Sequence, residues 1–177
     1  YRRAKYRIYR EAKSAVLDRA DKVAAQHASQ CQRVISFGAD APDIGHYGLR
    51  IDNGESYLAQ GETLLLAASE LAMYGVHNQL NALAALAAGD LLGLDMAAML
   101  RVLVEFPGLP HRMQFVARIG GVNYINDSKA TNVAAAIASI ESVNSTLVLV
   151  AGGDGKGADF GDLANAVEGK LRAAVLI

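Results

Sequence analysis

At 177 residues the chain is long enough to bury a core and to form one domain or parts of two. Hydrophobic residues make up 52% against 20% charged, which excludes a disordered chain, and no apolar run approaches the roughly 18 residues of a membrane span. A formal net charge of -1 selects no nucleic-acid partner, and one cysteine, Cys31, can close no internal disulfide, in keeping with a reducing cytoplasm.

In chain order, Tyr1–Leu17 carries Ile8, Ala12, Ala15 and Val16 among good helix formers and predicts an amphipathic helix. Gln32–Gly38 reads as a strand. From Tyr47 to Leu66, short alternating runs broken by Asn53-Gly54 and Gln60-Gly61 predict hairpins. Asn78–Leu94 is an alanine- and leucine-rich helix expected to be buried on most sides, and Asp95 caps another helix that runs to Phe106. The segment Phe106-Pro107-Gly108-Leu109-Pro110 holds two of the three prolines and marks a domain boundary, with 1–106 before it and 107–177 after it.

Beyond the boundary, Met113–Ala117 and Val122–Asn126 form a hairpin around Gly120-Gly121. A helix over Asn132–Val143, a strand over Thr146–Val150, a glycine turn, a helix over Asp162–Leu171 and a final apolar strand follow. Strand–helix–strand with apolar strands predicts a parallel sheet in a Rossmann-like α/β layer. The chain opens without Met inside a helical pattern and closes on the strand-like Ala173–Ile177, so it reads as an excerpt of a longer protein.

Three segments carry candidate chemistry. Asn126–Asn132 (NDSKATN) places six polar or charged side chains within seven residues at a strand-to-helix junction, the usual ligand edge of a parallel sheet. One of them, Thr131 or Asn132, is enough to cap the next helix, which leaves the others unexplained. The turn Gly152-Gly153-Asp154-Gly155-Lys156-Gly157 follows a strand, where backbone N–H groups and a lysine can hold an anion. It is not a P-loop, since Val150 and Gly157 stand where that motif needs Gly and Ser or Thr, and its spacing fails the dinucleotide fingerprint. A tight turn with a solvated lysine is its plain alternative.

His111-Arg112 follows the proline segment, where a guanidinium fork can reach a phosphate or ribose or can make an interdomain ion pair. His77, Asn78 and Asn81 share the first turn of the alanine-rich helix and read as caps or as a polar cluster. Lys5, among Arg2, Arg3 and Arg7, reads as a solvated basic face. His27 and His46 are expected in polar loops, without metal-ligand spacing.

In this order, Asn78-Gln-Leu-Asn81, Gly108-Leu-Pro-His111-Arg112, Asn126–Asn132 and Gly152-Gly-Asp-Gly-Lys156 resemble the Mur ligase family, and within it the branch that adds D-glutamate. NDSKATN is the most specific element. The resemblance implies the second half of a central ATP-binding domain followed by the first half of a Rossmann-like C-terminal domain. The activity it implies is ATP-dependent ligation of D-glutamate to UDP-N-acetylmuramoyl-L-alanine through an acyl phosphate, with ATP and Mg²⁺, in a cytoplasmic monomer that binds neither nucleic acid nor membrane.

It implies that Asn81 and His111 contact the adenine end of ATP, that Arg112 and Asp127 hold the ribose and neighbouring phosphates, and that Lys129 lies toward the phosphates. Thr131 and Lys156 would contact D-glutamate. Lys5 would be carbamylated and ligate Mg²⁺. The family's P-loop is not in this sequence, so the chain alone is expected to be inactive. A nucleotide-binding α/β module without catalysis is the alternative; a Rossmann oxidoreductase is disfavoured by the missing glycine fingerprint.

Overall fold

The computed structural model describes residues 2–73 and 75–177. Two compact units divide the chain: 1–72 with 78–106, and 73–77 with 107–177. The short segment 73–77, expected with the first domain, is grouped with the second unit.

The first unit opens with α1 (Arg2–Lys5) and a 3₁₀ turn (Tyr6–Tyr9), and then turns into strand β1 (Ser14–Asp18). The single helix expected over 1–17 is therefore wrong from its second half onward. Apolar residues in this stretch match a 3.6 period loosely, but the structure uses the period of two: Ala15 and Leu17 are buried while their neighbours are not. Helix α2 (Lys22–Ala28) follows, so His27 lies on a helix rather than in a loop. Its start is fixed by Asp21, whose Oδ1 accepts the N–H groups of Val23 and Ala24 at 3.1 and 2.9 Å.

Strands β2 (Arg33–Phe37), β3 (Tyr47–Asp52), β4 (Glu55–Gln60) and β5 (Thr63–Ala67) complete a five-stranded sheet in sequence order. β1, β2 and β3 run parallel and β3, β4 and β5 antiparallel. The expected Asn53-Gly54 turn joins β3 to β4, with φ of 48° and 82°, the left-handed pair a two-residue hairpin demands.

Helix α3 (Val76–Leu91) begins before the expected Asn78 and ends before the expected Leu94, and α4 (Met96–Glu105) forms where predicted. Gly93, at φ 72°, ends α3: Leu94 N–H reaches the Gly89 carbonyl at 2.9 Å and Gly93 N–H reaches that of Asp90 at 3.0 Å. Asp95 caps α4 through the Ala98 N–H at 2.8 Å. Ala82, Leu83, Leu86 and Ala87 of α3 meet Ile35, Tyr47, Leu58 and Leu66 of the sheet in one core. A smaller core joins Ala15 and Leu17 of β1 to Ala24 and Ala28 of α2.

The second unit contains the hairpin β6 (Gln114–Ile119) and β7 (Val122–Asn126), then α5 (Val133–Ser142), β8 (Leu147–Ala151), α6 (Gly161–Val167) and β9 (Leu171–Leu176). β8 and β9 pair in parallel around α6, the expected α/β unit. α6 is shorter than predicted, because Leu171 already opens β9. Lys170, between them, points its ammonium at the carbonyls of Ile140, Glu141 and Val143 at 3.2, 3.1 and 3.4 Å, which neutralises the C-terminal end of α5.

Candidate functional site

The strand-to-helix junction after β7 is folded on its own backbone. Asn126 Oδ1 accepts the Ser128 N–H at 3.1 Å, the Ala130 N–H reaches the Asp127 carbonyl at 2.9 Å, and the Thr131 N–H reaches that of Lys129 at 2.9 Å. Asn132, not Thr131, caps α5, its Oδ1 accepting the Ala135 N–H at 2.9 Å. The Lys129 and Thr131 side chains are exposed and have no hydrogen-bond partner among the described residues.

The turn after the proline segment is bound to this junction. His111 and Met113 hold left-handed backbones, φ 65° and 44°, and the Arg112 N–H closes on the Leu109 carbonyl at 3.2 Å. Gln114 Oε1 accepts the His111 N–H at 3.0 Å, which supports the strained turn from the first residue of β6. The His111 carbonyl accepts the Lys129 N–H at 3.1 Å. Asn126 Nδ2 donates to His111 Nδ1 at 3.0 Å; since Asn126 Oδ1 is committed to Ser128, the amide is oriented and the ring proton sits on Nε2. Asp127 joins from the other side, its Oδ1 accepting the Met113 N–H at 3.0 Å and its Oδ2 the Ser139 hydroxyl of α5.

His111, Asp127 and Lys129 are thus brought into one hydrogen-bonded patch, with Arg112 exposed at its edge and its guanidinium without a partner among the described residues. The patch offers an anion, two free cations and an imidazole N–H. His77, half-buried in the same unit, has an Nδ1 with no partner among the described residues. Burial lowers its pKa, and the negative charge of Asp127 pulls the other way.

Lys156 sits on the turn at the carboxyl end of β8, with φ 50° and its N–H on Asp154 Oδ1 at 2.9 Å; its exposed ammonium has no partner among the described residues. Asn81, in the first unit, is exposed on α3, with Nδ2 3.4 Å from Oδ1 of the buried Asn78. Lys5, also in the first unit, is exposed on the short α1. Among the described residues no group of His, Cys, Asp and Glu is arranged to hold a metal ion.

Ser139 and Gln114 were missed as site residues. A serine inside the apolar run Val133–Ile140, with the N-cap already supplied by Asn132, was the one available signal. Nothing in sequence marks Gln114.

A family model described as the glutamate ligase domain of Mur ligases matches residues 111–177. The whole chain is 46% identical to a UDP-N-acetylmuramoylalanine--D-glutamate ligase of Legionella pneumophila (strain Paris), of which it spans 41%. It is 49% identical to the protein of the same name from Pseudomonas syringae pv. tomato, of which it spans 40%. Its backbone is similar to that of MurF from Acinetobacter baumannii, with a TM-score of 0.64 at 22% identity over 98% of this chain and 45% of that one, a likeness of fold.

Proposed function

We propose that this chain, a member of the Mur ligase family, carries part of the site in which D-glutamate is joined to UDP-N-acetylmuramoyl-L-alanine at the expense of ATP, in cytoplasmic peptidoglycan precursor synthesis. The observation that carries the reading is the patch that binds the His111-Arg112 turn to the NDSKATN junction while leaving the Arg112 and Lys129 charges exposed.

ATP fits these residues. The Arg112 fork and the Lys129 ammonium suit phosphate oxygens, and the Asp127 carboxylate can accept ribose hydroxyls. His111 Nε2–H is a donor for the base end. Thr131 and Lys156 serve the D-glutamate carboxylates by a hydroxyl and a charge. In the reaction, phosphoryl transfer turns the alanine carboxylate into an acyl phosphate and leaves ADP. The D-glutamate amine then attacks the acyl carbon, loses a proton and expels phosphate. The cations named here hold charge on the nucleotide and on the amino acid, so their part is positioning and electrostatics.

Mg²⁺ does not fit the described residues by themselves, since no acidic or histidine cluster is present. Lys5 enters the reading only as a carbamate, because an ammonium repels a cation and a carbamate can ligate one. A module that binds nucleotide without catalysis is the second reading, favoured by the same patch.

One assay on the full-length protein tests the proposal: phosphate release from ATP that requires both UDP-N-acetylmuramoyl-L-alanine and D-glutamate. Lys156→Ala is expected to raise KM for D-glutamate by about tenfold or more, the loss of one charge-assisted contact, with a smaller effect on ATP. Lys5→Ala is expected to lose most activity and to regain part of it with added formate or acetate. ATP binding without any such turnover would leave the binding module, and an unchanged D-glutamate KM would remove Lys156 from the site.

A further inference from the structure

We propose that Ser139 is a positioning residue that sets the Asp127 carboxylate for a vicinal diol, the ribose of the nucleotide; the inference builds on the nucleotide assignment of Asp127 above.

The two Asp127 oxygens are held from different elements. Oδ1 takes the Met113 N–H of the turn at 3.0 Å, and Oδ2 takes the Ser139 hydroxyl from α5. One donor alone would leave the carboxylate free to swing about it; two donors from opposite sides fix its plane. Each oxygen keeps a second lone-pair direction, so the fixed carboxylate can still accept two neighbouring hydroxyls.

Ser139 has no other task that accounts for it. The N-terminus of α5 is already capped by Asn132, and a serine inside a helix of alanine and isoleucine lowers its propensity. Its single hydroxyl proton has two acceptors in reach, Asp127 Oδ2 and the Ala135 carbonyl at 3.0 Å. The anion takes it, because a charge-assisted bond is about twice as strong as a neutral one and the carbonyl already belongs to the helix ladder. Below it, Ser142 Oγ donates to the Ser139 carbonyl at 2.7 Å and braces that turn.

The test uses the full-length protein and two readouts: equilibrium binding of ATP and of 2′,3′-dideoxy-ATP by calorimetry, and the ligation assay. Ser139→Ala is expected to weaken ATP by about tenfold while leaving dideoxy-ATP nearly unchanged, so that the preference for the diol narrows by the same factor. Ser139→Thr keeps the hydroxyl and is expected to restore the preference. Adding Ser139→Ala to Asp127→Asn is expected to change nothing further, because the serine acts through the carboxylate.

A helix that merely softens would weaken both nucleotides alike, and that result overturns the proposal, as does an unchanged ATP affinity. Diol preference that depends on Ser139 in a protein without ligation supports the serine and sinks the ligase reading. Ligation intact in Ser139→Ala with unaltered diol preference does the reverse.

Discussion

His77 shows how one side chain couples the second unit to pH. Its imidazole is half-buried, with Nδ1 unpartnered among the described residues, and burial lowers its pKa below the ordinary value near 6.5. The folded state therefore takes up a proton less readily than the unfolded state. Stability from this residue is complete above the unfolded pKa, falls as pH drops from about 6.5 toward the folded pKa, and levels off below it. Urea denaturation of the full-length protein at pH 7.5, 6.5 and 5.5 is expected to show the fall, and His77→Gln to flatten it. An equal slope in the variant would show that His77 does not report the transition. At this scale the sequence displayed Asp95 as a cap and narrowed the other to Thr131 or Asn132, since these residues precede apolar runs and need only local N–H groups. It could not display the burial of His77 or the Ser139–Asp127 bond, because both depend on how separate elements pack.

Among the elements, hairpins and long helices were legible and the first strand was not. Asn53-Gly54 and Gly120-Gly121 announce turns by their backbone freedom alone. β1 is five residues whose strand character depends on pairing Ala15 with Val34 and Leu17 with Ser36, a partner that no local window contains. α3 was recognisable by its alanine and leucine pattern, yet a charge also ties it to the sheet. Asp90 accepts from Tyr47 OH and Gln60 Nε2, both at 3.1 Å, and from Arg33 Nη2 at 3.2 Å, and so gathers β3, β4 and β2 under one carboxylate. Burial and this carboxylate push the Tyr47 phenol far above its usual range, so it stays a donor. Asp90→Ala strands a fully buried hydroxyl and is expected to cost about 1–3 kcal/mol in urea denaturation. Tyr47→Phe in the Asp90→Ala background is expected to recover part of that loss, since the buried hydroxyl that had lost its acceptor is then gone. If Asp90→Ala is neutral, the helix is held by packing alone.

The whole molecule exposes apolar strand surface that a parallel ladder does not normally leave open. Val148 and Val150 of β8 are 54% and 61% exposed, and Val175 and Leu176 of β9 are 48% and 80% exposed. Parallel strands are almost always covered on both faces, and an uncovered two-stranded ladder has little to hold it. The curated relatives are more than twice as long as this chain, which spans 41% of one and 40% of another, so a protein of their length would have further residues with which to cover that face. The 177-residue chain by itself is therefore expected to self-associate and to bind a hydrophobic dye more than the full-length protein does; sedimentation velocity and dye fluorescence read the two. Val148→Lys separates a covered face from an open one by the sign of its effect. In the short chain it interrupts the apolar surface and should reduce association. In the full-length protein it buries a charge against apolar neighbours and should lower the midpoint of thermal unfolding. The same sign in both, with the full-length protein unharmed, would mean that β8 stays exposed in the complete protein and that its valines face water or a partner there.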